Sequence, residues 1–178
     1  MASTANVQAT IPGSDTSLPP LIVMTPRSGW WTCAPERGGG IAAFLEIMRA
    51  VQVLRAPRSV IFTANTGHEI GHTGLDQYLN DYPELVKNAL AWLHLGANFA
   101  ARFGSNIRLQ YSSETLRSLV QTHCHQQNIA PDSETPLGKR LAGEARNIFD
   151  AGGAYVSPSS QPTACFTIRQ TVIRMSST

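Results

Sequence analysis

The sequence predicts an α/β domain of three layers, with helices on both faces of a mostly parallel or mixed twisted sheet. Two observations predict it. Short apolar runs rich in β-branched residues recur along the chain, and between them lie longer segments whose apolar residues fall at helical spacing. A length of 178 residues with 42% hydrophobic content is enough for one domain with its own core.

The elements follow in order. Residues 1–18 are polar and rich in Ser, Thr and Ala, and read as a flexible N-terminal arm ahead of a domain over 19–160. Residues 21–24 (Leu-Ile-Val-Met) read as a short buried strand. Residues 38–54 read as a helix, with Ile41, Phe44, Leu45, Met48 and Val51 on its inner face. A second strand is expected at 59–65, and a short helix at 82–89, where Pro83 suits the first turn. Residues 91–95 and 107–111 supply the next two strands. Ser113 is the expected N-cap of a helix reaching about His125, with Leu116, Leu119 and Val120 inward. Residues 128–140 read as loop, 143–151 as a last helix and 154–157 as a closing strand.

Composition excludes several functions. A net charge of +2 without a Lys/Arg cluster argues against nucleic-acid binding. The absence of an apolar run of spanning length argues against a membrane protein. The start of the chain has no basic stretch followed by an apolar one, and the three cysteines, Cys33, Cys124 and Cys165, are widely spaced. Both fit reduced thiols in a cytoplasm.

The segment that carries chemistry is 59–79. Within it stands His68-Glu69-Ile70-Gly71-His72, which spells H-E-x-x-H. That motif marks a zinc protease when both histidines lie on one face of a helix with the Glu as general base. Here an apolar strand run, Val60 to Thr63, precedes it, and Gly67, Gly71 and Gly74 punctuate it. His68 and Glu69 are therefore expected at the carboxyl end of a strand, where open α/β sheets place their chemistry. The helical alternative would use His68 and His72 as ligands and Glu69 as base.

The order of motifs resembles that of the co-catalytic zinc aminopeptidases, zinc-dependent exopeptidases that share a fold with glutaminyl cyclases. That family runs strand, H-x-D, a G-A-x-D-N-x-S-G loop opening a helix, strand, T-G-E-E-x-G-x-x-G-S, a strand ending in Asp, and F-H-x-x-x-D. In this chain Thr25-Pro26-Arg27 stands at H-x-D, and Cys33 to Gly40 at the glycine-bearing loop. Thr66 to Leu75 stands at T-G-E-E-x-G-x-x-G-S, and Leu93-His94-Leu95 at the strand with the ligand Asp. The resemblance spans roughly residues 20–160. It implies a peptide or small-amide substrate and zinc as cofactor. Residue by residue, Thr25 replaces a ligand His, and Glu36 stands for the bridging Asp. His68 takes the general-base position as base or third ligand, Glu69 keeps the ligand Glu, and His94 stands for the ligand Asp. The surviving metal set is Glu36, Glu69, His94 and His68, able to hold one ion and short of a two-metal site. Arg27 is the expected clamp for a substrate carboxylate. Arg37, in the Glu36-Arg37-Gly-Gly-Gly run before the helix, belongs to a second anion-binding candidate. A non-catalytic binding domain that keeps the fold without metal is the reading from another class.

Residues 161–178 depart from the domain's pattern. From Pro162 onward the chain has no His, Asp or Glu. Joining the third base of each codon to the first two of the next, with permitted synonymous choices, rereads this tail as H-C-L-F-H-H-P-A-D-R-Y-P-H-V-V-D. That string contains F-H-x-x-x-D where the family would have it. The expectation is an out-of-frame tail, poorly packed, leaving a sheet edge free for self-association into a homo-oligomer.

Overall fold

The structure is a computed structural model, and it describes residues 3–31, 33–96 and 107–159. The expectation for the tail at 161–178 lies outside the described residues.

Strands β1 (Val7–Ile11), β2 (Leu21–Pro26), β3 (Val60–Asn65), β4 (Ala91–His94), β5 (Arg108–Tyr111), β6 (Ser133–Glu134) and β7 (Tyr155–Ser159) form one seven-stranded sheet in the order β1-β3-β2-β4-β7-β5-β6. The sheet is mixed. The pairs β2–β3, β2–β4, β4–β7 and β5–β6 are parallel, while β1–β3 and β5–β7 are antiparallel. Helices α1 (Gly39–Leu54), α2 (Thr73–Asp81), α3 (Pro83–Asn88), α4 (Glu114–Gln126) and α5 (Ala145–Asp150) cover it.

The pleat sorts the core into two halves. On β2, Leu21 and Val23 pack with Ala43, Phe44, Ile47 and Val51 of α1 and with Leu116 and Val120 of α4. Their neighbours Ile22 and Met24 point the other way, toward Leu75 and Tyr78 of α2, Val86 of α3 and Ile148 of α5. On β4, Leu93 and Trp92 divide between the same two clusters. All six residues of β2 are buried, which is the signature of a central strand covered on both faces. Each such aliphatic side chain contributes roughly 1.5–3 kcal/mol by leaving water. This is the three-layer α/β arrangement the periodicity predicts.

Connectivity decides where the chemistry sits. The chain leaves β2, runs through α1 on one face and returns as β3 beside it. It then passes through α2 and α3 on the other face and arrives on the far side of β2 as β4. At β2 the strand order therefore reverses, and crevices in open sheets form outside the carboxyl ends of strands at such a point.

Several expectations are corrected. Residues 7–11, placed in a flexible arm, form edge strand β1, whose register runs from Val7↔Ala64 to Ile11↔Val60. Most of its side chains are exposed, so backbone pairing holds it and no apolar pattern announces it. Helix α2 has no counterpart in the sequence reading. Loop 128–140 contains the short β6, and the last helix begins at Ala145. Leu45 and Leu119, expected inward, are 57% and 37% exposed. The N-cap at Ser113 is as expected, its hydroxyl accepting from the Leu116 amide at 3.3 Å, and Pro83 opens α3.

Candidate functional site

The carboxyl ends of β2, β3 and β4 bring together Thr25, Ser28, Arg37, His68, Glu69 and His94. Helix α5 and strand β7 add Glu144 and Ser157 beside them.

The turn after β3 is built by its glycines. Gly67 sits at φ 72°, and a Cβ there would meet Thr73 Oγ1 at 2.2 Å, so only glycine fits. The Gly67 carbonyl then accepts from the amides of Ile70 and Thr73 at 3.2 and 3.3 Å. Residues His68–Ile70 make a single 3-10 turn, Gly71 and His72 both adopt left-handed backbone, and α2 starts only at Thr73. His68 and His72 therefore do not share a helix. Their rings lie 4.7 Å apart at a 33° tilt, but Nδ1 of each is committed elsewhere. His68 faces Glu144 Oε1 at 3.2 Å, and His72 faces Asn147 Oδ1 at 2.8 Å. The arrangement of a helical H-E-x-x-H site is not formed. The N-terminal segment braces the turn: Asn6 donates to the Gly74 carbonyl at 2.7 Å and accepts from the Thr66 amide at 3.0 Å.

Arg37 is the hub of the first half of the site. It follows β2 in a π-helical turn, Ala34–Gly38, and its side chain is 4% exposed. Its Nε donates to the Ser28 carbonyl at 2.9 Å, and its Nη2 bonds Glu69 Oε1 and lies 3.0 Å from Glu36 Oε1. Nη1 is buried and has no hydrogen-bond partner. The two carboxylates named as ligands by the resemblance thus share one guanidinium.

His94 anchors the second half. It is buried at the end of β4, and its Nδ1 lies 2.8 Å from Ser157 Oγ, while Nε2 has no partner. Gly96 and Gly143 flank the ring, and a Cβ on Gly96 would approach His94 Cε1 to 3.0 Å. Burial pushes the imidazole down to about 4; the Glu144 carboxylate pulls it back upward, and His68, His72 and Arg37 push it down. His94 is therefore neutral at pH 7. Glu144 is fully buried and spans His68 and, at 3.5 Å, the Asn65 amide, which in turn accepts from Thr63 Oγ1 at 2.8 Å.

The residues predicted from sequence fare differently. Glu36, Glu69, His68 and His94 do share this end of the sheet. Thr25 spends its hydroxyl on the Leu95 carbonyl at 3.0 Å. Arg27, expected as a substrate clamp, is exposed and bonds the Ala5 carbonyl, tying down the N-terminal segment. Arg37 is an internal ion-pair partner and not an open anion site. Glu144 and Ser157 escaped the sequence reading. An acidic residue after Gly143, just ahead of a helix, was the one available signal for Glu144.

The zinc ligands that the resemblance implies are not gathered into one coordinating set among the described residues. Such ligands must approach to about 2.0–2.2 Å with free lone pairs. Arg37 Nη2 sits on Oε1 of both Glu36 and Glu69, and His68 Nδ1 faces Glu144. Among the described residues no group of three His, Cys, Asp or Glu is placed to hold a metal ion.

Comparison with known proteins gives the fold a context. No protein-family model and no curated protein matches the sequence. Solved structures do match. A zinc aminopeptidase from Bacillus subtilis, BSAP, superposes with a TM-score of 0.76 at 12% identity, covering 97% of this chain and 48% of that one. The fold is that of zinc aminopeptidases. An aminopeptidase from Aneurinibacillus sp. strain AM-1 gives a TM-score of 0.73 at 12% identity, with 97% and 45% covered. LapB from Legionella pneumophila gives 0.74 at 17% identity, with 96% and 54% covered. The chain spans about half the length of the structures it matches. No helix among the described residues is long and apolar enough to cross a membrane.

Proposed function

We propose that the chain is a metallopeptidase-like hydrolase domain of aminopeptidase ancestry whose zinc site has been rebuilt into an internal ion network. Zinc-dependent hydrolysis is then weak or absent, and the site keeps an affinity for peptides or small amides. The single observation behind this reading is Arg37 between Glu36 and Glu69, two positions that the resemblance makes metal ligands. A guanidinium on Oε1 of both carboxylates competes with a metal for those oxygens and offsets part of their charge. The His68–Glu144 pair retains useful chemistry. A buried carboxylate on Nδ1 fixes the ring, so an imidazole held this way can accept a proton or hydrogen-bond a peptide group.

Two assays test this. The first measures amino-acid release from aminoacyl anilides with and without added zinc, for the protein and for Glu69→Ala. The expected result is little or no release above the Glu69→Ala background. The second measures binding of a dipeptide amide, expected for the protein and weakened by His68→Ala. Robust zinc-dependent release abolished by Glu69→Ala, or no peptide binding at all, contradicts the reading.

A further inference from the structure

We propose that the Arg37 guanidinium is a built-in cation that weakens this site for divalent metal, so that one residue sets how tightly the fold's carboxylates bind an ion. The inference deepens the proposed function and rests on it.

Three observations carry it. First, Arg37 lies next to Glu36 in sequence and reaches Glu69 across the gap between β2 and β3, so one planar group touches both carboxylates. Second, the guanidinium cannot swing out freely. Its Nε–H donates to the Ser28 carbonyl at 2.9 Å, which fixes the plane of the fork, and Ser28 is itself tied to the next turn through Oγ and the His68 amide at 3.1 Å. Third, the carboxylates are less buried than the cation: Glu36 and Glu69 are 37% and 23% exposed against 4% for Arg37. The positive charge is thus the inner member of the cluster and the acids form its outer wall. A metal approaching from solvent meets two carboxylates backed by one fixed positive charge, which offsets half of their charge and weakens their pull at short range.

Removing the charge should therefore strengthen metal binding at these carboxylates. The experiment is zinc titration by calorimetry on the full chain, with zinc chloride alone as probe. The wild type is expected to bind no tighter than about 1 mM, a single-charge cation competing for the same oxygens. Arg37→Met is expected to bind one zinc about 100-fold more tightly, the effect of one unit charge removed at contact. Arg37→Met combined with Glu69→Gln should lose that gain, and Arg37→Lys, which keeps the charge, should resemble the wild type. If Arg37→Met fails to fold without metal, the Glu36→Gln/Arg37→Met chain takes its place, with an expected gain of about 10-fold over wild type. Micromolar zinc binding by the wild type that disappears in Glu69→Gln overturns the proposal. So does a folded Arg37→Met chain, or the substitute double variant, that binds zinc no better than wild type. These outcomes are independent of the peptide-binding assay, which reports on the proposed function alone.

Discussion

Two arginine–carboxylate networks in this molecule look alike and behave differently. Between β5, β6 and α4, Glu134 receives the Tyr111 hydroxyl at 3.2 Å, Arg117 Nε at 2.9 Å and Gln121 Nε2 at 2.8 Å. Its carboxyl is held below the usual range: burial works against that, and the Gln121 and Arg117 bonds outweigh it. Tyr111 is pushed up by its own burial and by the nearby Glu134 charge. Arg117 is 39% exposed, and this network has the features of a local staple. At the carboxyl ends of β2–β4, by contrast, Arg37 is buried with two acids and an unpartnered Nη1, and the nearby His94 has an unpartnered Nε2. Buried polar groups are nearly always satisfied, and leaving one unmet is costly. A saturated network belongs to architecture. An unsaturated one, at the strand ends where the sheet reverses order, is where a ligand has something to gain.

The comparison can be broken by substitution. The largest expected effect is Arg37→Met, which leaves two acids facing each other without their counter-ion. Breaking a buried pair from one side costs about 3–5 kcal/mol, and urea denaturation at pH 7 should register a loss near the lower end, since Glu36 is partly exposed. A stability within error of wild type would remove Arg37 from the centre of the site.

The next effect concerns pH. His94 is depressed in the folded state to about 4, against an ordinary value of 6.5. Between those limits the unfolded chain binds a proton that the folded chain does not. Stability is therefore full above about 6.5 and falls as pH drops toward 4, by about 3 kcal/mol in total. Denaturation midpoints across that window should show the slope, and His94→Leu should flatten it. An unchanged slope in His94→Leu would show that other groups carry the acid sensitivity.

Two smaller effects sharpen the contrast. Ser157→Ala removes the hydroxyl at 2.8 Å from His94 Nδ1 and should cost about 1 kcal/mol in the same melts, with no loss of fold by circular dichroism. Arg117→Met, at the solvated edge of the saturated network, should leave the midpoint close to wild type, because exposed ion pairs add little. A larger loss from Arg117→Met than from Arg37→Met would invert the comparison.

Much of the fold was legible in the sequence, and the reasons are local. The run of Leu21 to Met24 has no polar interruption and reads directly as a strand buried on both faces. Phe44 and Val51 mark α1 by their spacing, and Ser113 marks the start of α4 by its hydroxyl. Strand β1 was not legible because its residues face solvent and its register comes from pairing with β3. Helix α2 was hidden because it follows a glycine-punctuated turn and buries little beyond Leu75 and Tyr78. In the site, the strand-end placement of His68, Glu69 and His94 could be read from Gly67 and from the apolar runs before them. The role of Arg37 could not. An arginine in a glycine-rich turn before a helix reads as an anion-binding candidate, and only the folded chain, with its Nε on the Ser28 carbonyl, brings it to Glu69. Glu144 is separated from His68 by 76 residues and no periodic pattern links them.

On the proposed reading, the protein's own charges hold this end of the sheet together, with Arg37 on the carboxylates that an ion would otherwise contact. A crystal structure from crystals grown in millimolar zinc, with anomalous data at the zinc edge, addresses it most directly. The expected result is Arg37 Nη2 between Glu36 and Glu69 and no anomalous peak on either carboxylate. A zinc ion coordinated by Glu69, with the Arg37 side chain displaced from the Ser28 carbonyl, would contradict it.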